Sequence, residues 1–325
     1  MSPTRKRVLA PIIAAAATIG IAIAPAAASA PGPINFEGYS TGTINGQFGW
    51  SSLGAAGSGC AIYDHAVDSS LGTTGFGALS LRISNAVTSG CYSDQTFSPS
   101  LTEAAGETGA DPGTLSAPPT RRRYEASWQF ASTTPTAEQP GLSVVASPDR
   151  GDGARMSWVQ MTDTPTGLAV NFYDYQDVAP YGGLVGDPAG CDVSDDFFLS
   201  PVASGLDRSV PHTIDVTMDF VDGSRNDVVK VYVDGVLGHT GTSWEDYFRY
   251  CEGNPTRTVD SVLFRTGGTA APANAGKGFL IDNLNVRSDT VVLTKNDCKK
   301  NGWKSSTNPV FKNQGDCVSY FATRK

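Results

Sequence analysis

Apolar residues recur at every second position in one run after another along the body of this 325-residue chain, a spacing that admits strands and little else. Successive strand side chains point to opposite faces, so alternation marks a sheet with one face in a core. Residues 124–131 set Tyr124, Ala126, Trp128 and Phe130 against Glu125, Ser127 and Gln129. Residues 212–220 set Ile214, Val216, Met218 and Phe220 against Asp215, Thr217 and Asp219. Residues 228–233 alternate Val229, Val231 and Val233 with Lys230 and Tyr232. The same period places Leu79, Leu81 and Ile83 together in 77–84, Met156 and Trp158 in 155–161, and Leu168, Val170 and Phe172 in 168–174. Turn residues such as Asp222-Gly223-Ser224 and Asp234-Gly235 separate these runs, and no helical period of useful length competes. With 36 glycines, 20 prolines and only 17% charged residues, the composition fits a turn-rich β protein rather than a helical bundle. The prediction is an all-β, antiparallel two-sheet sandwich.

The first thirty residues read as an export signal. Arg5, Lys6 and Arg7 precede an apolar stretch from about Val8 to Ala24, and small residues follow to Ala30. Cleavage after Ala28 is preferred over Ala30, because Pro31 sits awkwardly just after the second site. No later stretch approaches the roughly 20 apolar residues that cross a bilayer. Six cysteines agree with an oxidising, extracellular or cell-surface destination. Six allow 15 connectivities in principle. Their local grouping favours Cys60 with Cys91, Cys191 with Cys251, and Cys298 with Cys317. No CxxC pair occurs and there are three histidines, which argues against zinc.

Charge divides the chain. The signal carries +3, the segment from Leu293 to Lys325 carries +5, and the body between them −16, for −8 overall. An acidic body repels nucleic acid. The basic tail, residues 289–325, reads as a separate mini-module stapled by its own cysteine pair, since a segment this short rarely folds without one. Its Lys295, Lys299, Lys300, Lys304 and Lys312, set around Trp303, would attract an anionic cell-envelope polymer. Docking of the tail on its own acidic domain is the alternative. Two further stretches, 98–119 and 177–204, read as long loops.

Three marks carry a family resemblance. His212-Thr213-Ile214-Asp215-Val216 followed by Val231-Tyr232-Val233-Asp234-Gly235, the run Gly278-Phe279-Leu280-Ile281-Asp282-Asn283-Leu284, and Ile34-Asn35-Phe36-Glu37 with Gly46-Gln47-Phe48-Gly49-Trp50 resemble the laminin-G and concanavalin A-like lectin/glucanase sandwich. The resemblance implies a concanavalin A-like jelly roll over residues 31–288. The tail, from Cys298-Lys299-Lys300-Asn301-Gly302-Trp303 through Tyr320, resembles a short C-terminal module of various bacterial exported proteins. The glucan-cleaving members of the sandwich family carry Glu-x-Asp-x-Glu on one strand, which presents an acid and a nucleophile on one face. That motif is missing here. A lyase would need cations for a uronate, and Arg121-Arg122-Arg123 also reads as a solvated strand flank.

Aromatic residues among carboxylates are the better signal. Trp244-Glu245-Asp246-Tyr247-Phe248-Arg249-Tyr250 and Tyr173-Asp174-Tyr175 combine flat rings with hydrogen-bonding groups, the chemistry a sugar recognises. They read either as a ligand site, through Trp244, Glu245, Asp246, Tyr247, Tyr250, Tyr173, Asp174 and Tyr175, or as rings capping the sandwich edge. Asp282 shares strand parity with Leu280, Leu284 and Val286, so its carboxylate points inward unless a bulge turns it. If the opening and closing strands pair, as they often do in this fold, Glu37 meets it and the two suit structural calcium. The expectation is a secreted, monomeric, non-catalytic protein that binds a neutral glycan or adheres to a cell surface. An extracellular polysaccharide hydrolase or lyase with a non-standard site is the alternative.

Overall fold

The structure is a computed structural model that describes residues 32–52, 63–88, 95–109, 114–115, 121–175, 197–252, 255–266 and 268–323. The export signal and Cys60, Cys91 and Cys191 lie outside the described residues.

The alternating runs become strands of two large antiparallel sheets. One has the order β1 (Gly42–Thr43), β3 (His65–Ser69), β4 (Leu79–Ile83), β18 (Phe279–Asp289), β8 (Arg123–Ser132), β13 (His212–Asp219), β14 (Val228–Val233) and β15 (Val236–Gly241). The other has the order β12 (Phe197–Leu206), β11 (Gly167–Tyr175), β10 (Trp158–Thr164), β9 (Ser143–Asp149), β17 (Ser261–Arg265), β5 (Gln95–Phe97) and β2 (Ser51–Ser52). Hairpin neighbours alternate with pairs distant in sequence, such as β4 with β18, β18 with β8, β8 with β13 and β9 with β17, as in a jelly-roll sandwich. The inner faces share one apolar core that includes Tyr124, Trp128 and Phe130 from β8, Val216 and Met218 from β13, and Val170 and Phe172 from β11. Across the layers, Trp128 meets Phe264 of β17 edge to face, with ring centroids 6.1 Å apart.

Four expectations change. The stretch 98–119 is not one loop: β6 (Ala105–Thr108) and β7 (Thr114–Leu115) join β16 (Thr256–Val259) in a small third sheet. The end of 177–204 belongs to β12. Trp158 faces away from the core that Val159 and Met161 enter, whereas Met156 is buried in it. Asp282 does not point inward. Between Asp282 and Asn285 the ladder to β8 gains a residue, with Asn283 at φ 51°. Phe279 and Ile281 face the core before this bulge, Leu284 and Val286 after it. Asp282 pairs across from Gln129 on the outer side and is covered by the turn at Gly77, whose N–H lies 3.4 Å from its Oδ2.

Helices appear only where alternation stops. A π-helical turn, Tyr247–Cys251, follows β15. In the tail, α1 (Lys295–Lys299) starts with a capping box between Thr294 and Asp297, and α2 (Gln314–Thr323) is bridged to it by the disulfide Cys298–Cys317. Val292, Cys298, Phe311 and Cys317 form a small core of their own, separate from that of the sandwich. The module is tied to the body through Arg122, which donates its N–H to Asp289 O (3.0 Å) and sets its guanidinium 3.6 Å from the Asp297 carboxylate. Cys251 is also disulfide-bonded.

Two close approaches lock the sheets. At the entry to β18, Gly278 has φ 106°, and a Cβ there would lie 2.1 Å from Ile83 O. On one side of the sandwich, Gly238 of β15 sits so close to β12 that a Cβ would fall 2.5 Å from Val202 Cγ1. Gly278→Ala combines a disfavoured φ with a backbone clash. It should lower the unfolding free energy by more than about 2 kcal/mol in urea denaturation, whereas Ala at Gly276, with φ 72° and open space, should cost less.

Candidate functional site

A cleft of about 540 Å³ opens at the outer face of β10 and β11. Its floor is Trp158, opposite Tyr173 in the β10–β11 register, their ring centroids 5.6 Å apart and edge to face. Phe197 at the start of β12 and Tyr247 on the π-helical turn supply further ring surface, 5.5 Å apart. These four rings are partly exposed. Trp244 is nearly buried behind them, 5.5 Å from Trp158 and 4.5 Å from Phe197, its indole N–H donated to Tyr173 O at 2.9 Å. Ring edges and faces are thus fixed before any ligand arrives.

Charged groups rim the cleft. Arg155 and Arg265 place their guanidinium carbons 5.1 and 5.6 Å from the Trp158 ring centroid. Arg150 pairs with Asp152 at 2.6 Å, and Tyr247 donates its hydroxyl to Glu252 at 2.6 Å. Asp149 shapes the rim: its Oδ1 accepts the N–H groups of Gly151, Asp152 and Gly153 at 2.6, 3.1 and 3.1 Å, curling the chain from Arg150 to Gly153. Burial lifts the Asp149 carboxyl to about 6, against the N–H bonds that favour its charge.

The residues singled out in the sequence separate into two sets. Tyr173, Trp244 and Tyr247 line the cleft. Tyr175 stands behind it, its ring tilted against Phe197 and edge to face with Tyr247, with its hydroxyl 3.1 Å from Cys251 Sγ. Tyr250 is outside the lining. Asp174 turns the other way, accepting the Thr242 N–H at 2.8 Å and facing His239 Nε2 at 3.1 Å, so it fastens β11 to the end of β15. Glu245 and Asp246 enter a buried charge network. Arg249 joins Glu245 (3.0 Å) and Glu107, Arg257 joins Glu107 (3.3 Å), and Asp227 accepts the Ser243 hydroxyl at 2.6 Å. Burial pushes both Asp227 and Glu245 up, with the charge of Glu107 adding to the first and that of Asp227 to the second. This network holds the turn that carries Tyr247. Trp158, Phe197, Arg150, Arg155 and Arg265 were missed. Trp158 shares strand parity with the polar Gln160 and Thr162, a pattern that marks an outer face.

Glu37 and Asp282 both approach the turn at Gly77. Glu37 Oε1 accepts the Leu79 N–H at 2.9 Å, and a Cβ on Gly77 would lie 2.0 Å from the same oxygen. Burial raises the Asp282 carboxyl to about 6, against the N–H bonds from Asn283 and Gly77 and with the help of the Glu37 charge. No third acidic, histidine or cysteine side chain gathers with them into a metal-binding group among the described residues.

No family model matches the chain, and no curated protein matches it. Among solved structures, a sialidase aligns with TM-score 0.40 and 11% identity over 83% of this chain, which spans only 19% of that sialidase. An alginate lyase in complex with alginate trisaccharide aligns at 0.42 and 15% over 80% of this chain and 99% of the other. The galectin LEC-6 of Caenorhabditis elegans aligns at 0.28 and 9% over 60% and 96%. Likeness at this level identifies no family for the chain, and its chemistry rests on the cleft itself.

Asp149 and Asp282 have folded-state values near 6, above the ordinary carboxyl value, so the native state retains protons that the unfolded chain releases. Their contribution is complete below about pH 4 and is lost as pH rises through about 6. The thermal midpoint should therefore gain less between pH 4 and 7 than in Asp149→Asn and Asp282→Asn variants, which no longer titrate. Parallel pH profiles of wild type and variants would refute this.

Proposed function

We propose that this protein binds a glycan in the cleft between Trp158, Tyr173, Phe197 and Tyr247. The observation that carries the reading is four partly exposed rings converging on one cleft rimmed by guanidinium and carboxylate groups. Sugar C–H faces stack on such rings while hydroxyls bond to the charged rim. The ligand is proposed as neutral, since the body carries −16, and the protein as an exported monomer that adheres to glycans outside a bacterial cell. Structural calcium is proposed at Glu37 and Asp282, which supply two carboxylates of the roughly 6–8 oxygens the ion takes.

A cleaving enzyme is the second reading, and one observation favours it. The Tyr247 hydroxyl, held by Glu252 at 2.6 Å, is a proton-transfer couple in a cleft that also holds Arg155. Product assays on neutral and uronate polysaccharides separate binding from turnover.

The tail is proposed to hold an anionic cell-envelope polymer. Lys295, Lys299, Lys300, Lys304 and Lys312 of the tail are exposed. Its acids are engaged, Asp297 by Arg122 and the Thr294 N–H, Asp316 by the Lys312 N–H at 3.0 Å. The module contacts the body through Asp297 and Arg122, and no lysine of the tail is ion-paired to the acidic body among the described residues, so these contacts do not use the tail's positive charge.

Trp158→Ala should weaken glycan binding by about tenfold or more, read by calorimetry against the glycan that an array selects. Unchanged affinity would place the site elsewhere. Changing Lys299, Lys300 and Lys304 to Glu should release the protein from immobilised polyphosphate at clearly lower salt. Equal elution would remove the tail from that role.

A further inference from the structure

The outer face of the other sheet carries a second groove, separate from the cleft. A depression of about 520 Å³ over Gln129, Thr213 and Asn283 adjoins one of about 210 Å³ over Glu125, Asp215 and Thr217, and both are lined by Ser127 and Asn285. The strand registers put one row of side chains straight across four strands. Asn285 of β18 faces Ser127 of β8, Ser127 faces Asp215 of β13, and Asp215 faces Tyr232 of β14. At about 4.8 Å between strands, the row is roughly 14 Å long.

Outer sheet faces are ordinarily polar, so polarity alone means little. The contrast with the next row is informative. There Arg287 pairs with Glu125, as charges on a solvated sheet do, beside Thr217 and Lys230. In the row of Asn285, Ser127, Asp215 and Tyr232, no side chain makes a hydrogen bond or ring contact with any described residue. All four are partly exposed. The bulge that displaces Asp282 also sets Asn283 over Gln129, where its amide bonds Gln129 Oε1 at 2.7 Å and closes one end of the groove. Short side chains in the middle and longer ones at the margin leave a trough rather than a flat surface.

We infer that this row is a second saccharide site that takes a neutral oligosaccharide lying across β18, β8, β13 and β14. The chemistry selects the ligand. An amide and a hydroxyl donate and accept, a carboxylate accepts from hydroxyls, and a phenol ring offers a stacking face. Glu125 is offset by Arg287, so the uncompensated charge of the row is that of Asp215. An anionic sugar is repelled there, while a neutral polyol meets acceptors and donors in turn. The site does not depend on the cleft and uses none of its residues.

The test is titration of hexasaccharides of β-1,4-linked glucose, xylose and mannose into the intact protein by calorimetry, with heteronuclear NMR to locate the perturbed residues. Asp215→Ala with Asn285→Ala, and separately Tyr232→Ala, should each weaken binding of one of these sugars by about tenfold or more. These partly exposed positions should leave the thermal midpoint near that of wild type. Trp158→Ala should leave this binding intact, which separates failure of the groove from failure of the cleft. No binding of any of the three sugars at millimolar concentration, or binding that survives both groove variants, overturns the inference. Tighter binding of a uronate hexasaccharide at this row overturns it as well.

Discussion

Glu107 has no exposed surface, and a carboxylate removed from water is tolerable only when its charge is met and its lone pairs are bonded. Arg249 and Arg257 meet it, and the Gly223 N–H approaches at 3.3 Å. Glu107 sits on β6, and its partners come from β16, the π-helical turn and the loop after β13. One buried charge therefore obliges four distant stretches to assemble together. The aromatic wall of the cleft depends on that assembly, because Trp244 and Tyr247 flank the residues that Arg249 pins. Neutralising hydrophobic replacements of such clusters are often tolerated, but removing one partner from a buried pair typically costs about 3–5 kcal/mol. The network thus links the geometry of the rings to the integrity of the small third sheet.

The sandwich was legible because alternation and turn residues are local. The runs around β8, β13 and β14 carry their period in six to ten residues and need no tertiary help. The bulge in β18 was not legible as a certainty. Leu280, Asp282, Leu284 and Val286 keep perfect parity on paper, and only pairing with β8 shows where the extra residue goes. The π-helical turn was read as aromatic and charged, which is correct, but spacing in a turn does not say which side chain faces which way. Glu245 and Trp244 are adjacent and point to different worlds, one into a buried ion network and one toward the rings. Trp158 was placed with Met156 because both were assigned to one strand, whereas β10 begins at Trp158 itself.

The two outer faces of the sandwich are built by opposite means. On the β10–β11 side, large rings and arginines come from strands and from the chain that follows β15, making a cleft at the sheet's margin. On the β18–β8–β13 side, small polar groups come from the middle of strands, making a trough in the sheet's centre. The first uses loop geometry, the second uses register, and neither disturbs the shared core between them.

The ends of the sheets bear on how the molecule behaves among copies of itself. A terminal strand exposes a row of unsatisfied amides and carbonyls that another chain can extend. Here β12 and β15, the long terminal strands, lie against each other, with Gly238 pressed on Val202. At the opposite ends, β1 and β2 are two residues each. An incoming strand finds the first pair of edges crowded by each other and the second too short to template growth. The sandwich can therefore reach high local concentration, as a multivalent ligand would impose, without a ready path to fibrils.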